Sequence, residues 1–135
     1  MDKFDVDIVF PGGSRIDADF GGKGITTGRE GELSPFDLFL AGIGTCSAIK
    51  ILRFCQERDI ATEDIRIRQR MFHNPDSNMI EKIEYAIQLP PDFPKKYHKA
   101  VVQTAKSCGV KKHLVTPPEF DIHVTTELTK AIEEA

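Results

Sequence analysis

From Phe4 the chain alternates: Phe4, Val6, Ile8 and Phe10 are interleaved with Asp5, Asp7 and Val9, the period of two that a strand with one buried face requires. Pro11-Gly12-Gly13 predicts a turn. Ile16, Ala18 and Phe20 then resume the alternation against Asp17 and Asp19, so the two segments read as a hairpin. Gly21, Gly22, Gly24 and Gly28 loosen the next stretch, leaving room for at most a short strand at Ile25 to Thr27. At Ser34 the period changes. Ser34 suits an N-cap, Pro35 the first helical position and Asp37 the positive end of the dipole, predicting a helix that runs to about Arg58. Phe36, Leu38, Phe39, Leu40, Ala41 and Ile43 open it, and Ala48, Ile49, Ile51, Leu52 and Phe54 continue it, so it is apolar nearly all round. Charge appears only at Lys50, Arg53, Glu57 and Arg58. Ile65, Ile67 and Met71 set among Arg66, Arg68 and Arg70 predict another strand, and Ile83, Tyr85, Ile87 and Leu89 its neighbour, with Asn74-Pro75-Asp76-Ser77-Asn78 as their turn. A helix is expected from about Lys95 to Cys108 and a helical turn at Val110 to Val115. Alternation of Phe120, Ile122 and Val124 predicts a last strand.

This order favours α+β with a mostly antiparallel sheet over a doubly wound parallel one. A helix apolar all round needs cover on several sides, and one sheet covers one side. A second copy of the chain is the simplest source of the rest, so a homodimer with two such helices near its centre is expected. The 135 residues fit a single domain, 1–135. A net charge of -3, with basic and acidic residues interleaved, argues against nucleic acid as the main partner. The start carries no signal-like apolar run and no segment approaches the roughly 20 apolar residues of a membrane helix, so a cytoplasmic protein without a membrane partner is expected. In a reducing compartment the three cysteines are buried hydrophobes or working thiols rather than structural bridges.

Cys46 lies in Gly42-Ile43-Gly44-Thr45-Cys46-Ser47-Ala48. Two glycines in a strong helix mark close packing or a distortion. If the helix breaks at Gly44, Cys46 sits near a new N-terminus that favours the thiolate; if not, small residues let helices approach and Cys46 fills space. Cys108 closes a helix on its apolar face beside Gly109, where the dipole disfavours a thiolate, so it suits a resolving better than an attacking role. Cys55, among Phe54, Leu52 and Ile51, reads as core packing. His73, His98, His113 and His123 have no tight metal-ligand spacing, and neither a metal nor another cofactor is expected. Gly21-Gly22-Lys23-Gly24 resembles no phosphate loop.

Ser34-Pro35-Phe36-Asp37-Leu38-Phe39-Leu40-Ala41-Gly42-Ile43-Gly44-Thr45-Cys46-Ser47-Ala48-Ile49 resembles the central-helix motif of the OsmC/Ohr superfamily, the osmotically inducible and organic-hydroperoxide-resistance proteins. Ala105-Lys106-Ser107-Cys108-Gly109-Val110, with Leu114 beyond, is similar to that family's second cysteine motif, 62 residues on. The resemblance implies an intertwined α+β homodimer with a site at each subunit interface. It also implies a thiol peroxidase acting on organic hydroperoxides, with Cys46 peroxidatic, Cys108 resolving and an external dithiol as reductant. The family's peroxidases add an arginine from an early strand, for which Arg15 is the nearest candidate and Arg29 a rival, and a glutamate directly after the helix proline. Here that position is Phe36 and the nearest carboxylate is Asp37, which brings the chain closer to an OsmC-like branch with a Ser-Pro-x-Glu/Asp-Leu motif. Phe36, Phe39 and Ile43 are candidates for an apolar substrate pocket, or for core. The alternatives to a peroxidase are a dimer that binds a small hydrophobic ligand and a redox sensor.

Overall fold

The computed structural model describes residue 1 and residues 3–128. It is mixed α+β and divides into two compact units, Met1–Leu40 with the chain from Pro118 onward, and Ala41–Pro117.

In the first unit, β1 (Asp7–Gly12), β2 (Arg15–Asp19) and β3 (Gly24–Thr27) form an antiparallel sheet in that order. Ile8 pairs with Ala18 and Asp17 with Thr26. The predicted hairpin and the short third strand are therefore present, with β1 starting three residues later than the alternation suggested and running through Pro11 to a bulge before Gly12. Gly28 has φ +98°, and a Cβ there would strike the Ser14 carbonyl, so only glycine lets the chain leave β3 this way. The strand expected at Phe120, Ile122 and Val124 does not form: these residues are 80%, 90% and 97% exposed and carry no ladder. Alternation supplies a face, but a strand also needs a neighbour to take its backbone hydrogen bonds, and none pairs with this segment among the described residues.

Helix α1 (Pro35–Gln56) begins in the first unit and passes into the second after Leu40. Its start is a reciprocal cap: the Ser34 amide donates to Asp37 Oδ2 at 2.9 Å and the Asp37 amide to Ser34 Oγ at 3.1 Å. Ile43, Ser47, Ile51 and Cys55 recur every fourth residue and are its buried residues, whereas Phe36, Phe39, Ile49 and Leu52 stay well exposed. By length and composition α1 does reach what a membrane span needs, with 22 residues and a mean hydropathy of 1.6, which corrects the sequence expectation. A core helix passes the same test, and here one face of α1 packs against protein.

In the second unit, β4 (Arg66–Asn74) and β5 (Met79–Gln88) pair antiparallel, Ile67 opposite Ile87 and Gln69 opposite Tyr85. Arg66, Arg68 and Arg70 point outward, while Ile67 and Ile87 pack toward the core. A 3₁₀ turn (Lys95–Tyr97) leads into α2 (His98–Lys106), and α3 (Gly109–Val115) follows. Ile51, Cys55, Phe93, Val101 and Ala105 are the buried centre.

Candidate functional site

Two expectations about the cysteines change with these elements. Helix α1 is unbroken at Gly44, so Cys46 gains no new helix start from its own helix. Instead, Gly44 faces the Gln69 side chain, leaving space where a Cβ would meet the Gln69 amide oxygen. Cys108, for its part, does not end a helix. Helix α2 stops at Lys106, and Cys108, with extended φ -65° and ψ 131°, is the N-cap residue of α3. The helix dipole at Cys108 is thus the reverse of the one expected, because the chain re-enters a helix at Gly109 instead of terminating there.

The two changes together give Cys46 its helix terminus from elsewhere. Cys46 precedes buried Ser47, which puts it about 100° round α1 at the edge of the buried face, where it is partly accessible. The Cys108 thiol hydrogen-bonds to it and is the largest influence lowering Cys46 below the ordinary thiol range. The Val110 amide is next, the Gly109 amide and the Lys50 charge add to it, and partial burial opposes it. The Cys108 thiol and the N-terminal amides of α3 therefore favour the thiolate form of Cys46. Cys108 is fully buried, and its Sγ lies 4.0 Å from the Ile43 carbonyl oxygen. Its one S–H thus has two acceptors, and an ionised Cys46 is the stronger. No disulfide joins them; Cys46, Cys55 and Cys108 are free. Cys55 is fully buried in the core, and burial pushes its thiol up, as a packing role requires.

Beside the pair stands a polar knot that sequence reasoning missed. Ser47 Oγ donates to the Ala105 carbonyl at 3.0 Å, and Lys111 Nζ donates both to Ser47 Oγ at 2.9 Å and to the Ala105 carbonyl at 3.0 Å. These bonds tie α1, α2 and α3 together. Lys111 Nζ also lies 4.4 Å from the centroid of the Tyr85 ring. A tyrosine at an inward position of β5 is a signal the sequence did carry, since a buried phenol usually has a task for its polar tip. Lys111 carried none, since a lysine on a short helix ordinarily reads as solvated.

The other candidates have partners of their own. Arg15 makes a two-pronged ion pair with Asp17, Nε to Oδ1 at 2.9 Å and Nη2 to Oδ2 at 2.7 Å, which holds the Asp17 carboxyl below its usual range. Arg29 does the same with Glu32. Asp37 is engaged in the helix cap. The Phe36 and Phe39 rings are 5.5 Å apart and partly exposed. These five residues belong to the first unit, and Cys46 and Cys108 to the second. The Ile43 side chain is 2% exposed and offers no surface to a ligand. A separate apolar groove of about 720 Å³ opens between α1 and β4, lined by Gly44, Ala48, Leu52, Ile65, Ile67 and Gln69 among others, and Cys46 is not part of its wall.

The family model described as OsmC-like protein matches residues 28–123, most of the chain and both cysteine segments. A comparison with curated protein sequences finds no significant match. Among solved structures, a hypothetical protein from Aquifex aeolicus VF5 superposes with a TM-score of 0.70 at 20% identity, covering 88% of this chain and 92% of its own. A protein from Psychrobacter arcticus 273-4, described as a putative osmotic stress induced and detoxification response protein, gives 0.68 at 19% identity, covering 83% and 88%. The OsmC-like protein of Mycoplasma pneumoniae gives 0.62 at 17% identity, covering 92% and 96%. At such identities the likeness is one of fold.

Proposed function

Because the chain belongs to the OsmC-like protein family, we propose that it is a thiol-dependent peroxidase that reduces organic hydroperoxides through Cys46 and Cys108, in detoxification under stress. The observation that carries this reading is the pairing of an accessible Cys46, whose thiolate is favoured by the Cys108 thiol and the Val110 and Gly109 amides, with a buried second thiol already within hydrogen-bond reach. The Cys46 thiolate attacks the terminal oxygen of the hydroperoxide, leaving an alcohol and a Cys46 sulfenic acid. Cys108 then condenses with the sulfenic acid, releasing water and forming a disulfide, and an external dithiol restores both thiols. Burial suits Cys108 to this part, because it meets the neighbouring sulfur and is closed to bulk peroxide. The protein is read as a cytoplasmic homodimer that acts without cofactor, nucleic acid or membrane.

Steady-state turnover of cumene hydroperoxide with a dithiol tests the proposal. Sustained turnover that disappears in Cys46→Ser is expected, and absence of turnover in the wild type would overturn it. The apolar groove between α1 and β4 favours a second reading, a binder of small hydrophobic ligands. That reading predicts saturable binding of an apolar probe that oxidation of Cys46 leaves unchanged.

A further inference from the structure

Helix α3 is seven residues long and buries none of them. So short a helix is not stable on its own, and without a buried face the core does not fix its position either. Among the described residues, Cys108 and Lys111 supply the side-chain hydrogen bonds that hold it to α1 and α2. Cys108 Sγ lies 4.0 Å from the Ile43 carbonyl oxygen, and Lys111 Nζ donates to Ser47 Oγ at 2.9 Å and to the Ala105 carbonyl at 3.0 Å. On α1, Ile43, Cys46 and Ser47 stand at positions i, i+3 and i+4, which are neighbours on one side of a helix. The two anchors of α3 therefore bracket Cys46, one at the preceding turn and one at the next residue. Ser47 is 1% exposed and itself donates to the Ala105 carbonyl, so Lys111 is tied to a fixed point.

Resting on the peroxidase reading, we infer that Lys111 is the positioning residue for closure of the disulfide: bound to Ser47, it keeps the start of α3 against Cys46 while Cys108 leaves the Ile43 carbonyl. In that step an S–S bond forms between Cys108 and the sulfenic sulfur of Cys46. The Cys46 S–O bond breaks, and the hydroxyl departs as water with the Cys108 proton. The Cys108 sulfur is oxidised and the Cys46 sulfur reduced by the same amount. Closure thus removes the first anchor, because a disulfide sulfur has no proton to give the Ile43 carbonyl. Lys111 is the anchor that remains. It stands three residues after Cys108, near enough to hold the backbone of the N-cap and far enough to leave the thiol free to turn. A lysine suits the task, since two of its three donors reach Ser47 and Ala105 while the face of the Tyr85 ring, 4.4 Å from Nζ, stabilises its charge. Orientation matters greatly in an intramolecular step, where a misplacement of about 1 Å costs up to about 100-fold.

Rapid-quench intact mass spectrometry of the full chain with one equivalent of cumene hydroperoxide separates attack from closure. Attack adds one oxygen, and closure then replaces that gain by a loss of two hydrogens. Rates are compared at a pH where iodoacetamide shows Cys46 fully ionised in each variant, so that thiolate supply does not enter. Lys111→Met, which keeps a similar stem and removes the donors, is expected to slow closure about tenfold or more and to leave attack within about twofold of wild type. Lys111→Arg, which can donate to both acceptors, should restore closure. Ser47→Ala should slow closure in the same way, and the double variant Ser47→Ala/Lys111→Met no further than Lys111→Met alone, because both act through one bond. Ser47→Ala with its own attack and closure rates carries the test should Lys111→Met fail to fold. Unchanged closure, attack and closure slowed alike, or losses that multiply in the double variant would each overturn the inference and leave the peroxidase reading intact. A wild type that gains no oxygen and forms no disulfide would overturn that reading and this one together.

Discussion

At the scale of single residues, reactivity is decided by what surrounds a sulfur more than by the sulfur itself. Three free cysteines share one chain, yet Cys46 is drawn toward the thiolate by a thiol and two amides while Cys55 is pushed away from it by burial alone. Removing the first of the donors to Cys46 should be visible. In Cys108→Ala, the midpoint of Cys46 alkylation against pH should move upward, since a lowered value reflects a charged form held by that donor; an unmoved midpoint would leave the α3 amides and the Lys50 charge as the cause. The same variant lacks a resolving thiol. With excess cumene hydroperoxide its mass should rise by about two oxygens as the sulfenic acid climbs to sulfinic acid, and a variant that stays at one oxygen would argue for another resolving group. The two cysteines were legible in the sequence because each sits in a glycine-marked segment. Lys111 was not, because its bonds to Ser47 and the Ala105 carbonyl come from a meeting of α1, α2 and α3 that no local pattern records. Arg15 shows what spacing does record: a guanidinium two residues from Asp17 on one strand face finds its carboxylate locally.

At the scale of elements, sequence periodicity served best where an element's own chain supplies its partner. The β1–β2 hairpin, the β4–β5 hairpin and α1 follow from alternation, turn residues and a cap, all local. The Phe120–Val124 strand failed where a neighbour was required. Cys108 was placed in the wrong kind of helix end because Gly109 signals a stop and a restart equally well; only the following turn of α3 decides. Within α1, the buried face makes a quantitative claim. Ile51 is almost wholly buried in the second unit's core, so Ile51→Ala should lower stability by about 2–4 kcal/mol in urea unfolding monitored by circular dichroism. A loss under about 0.5 kcal/mol, the usual range for surface changes, would mean that this face is not core.

At the scale of the whole molecule, α1 leaves Phe36, Phe39, Ile49 and Leu52 open on faces that one copy does not cover, which is the ground for the proposed homodimer. Light scattering at micromolar concentration should give about twice the 15.1 kDa chain mass, and Ile49→Asp should shift it toward the monomer. A monodisperse monomer in the wild type would remove the dimer from the account. Family membership and fold leave the chemistry itself to the thiols, and the most direct test is intact and peptide mass spectrometry after one equivalent of cumene hydroperoxide. One equivalent of cumyl alcohol, a loss of two hydrogens, and a disulfide that maps to Cys46 and Cys108 with Cys55 still free are expected from the peroxidase reading. An unchanged mass, or a disulfide or oxygen gained on Cys55 in place of Cys46, would contradict it.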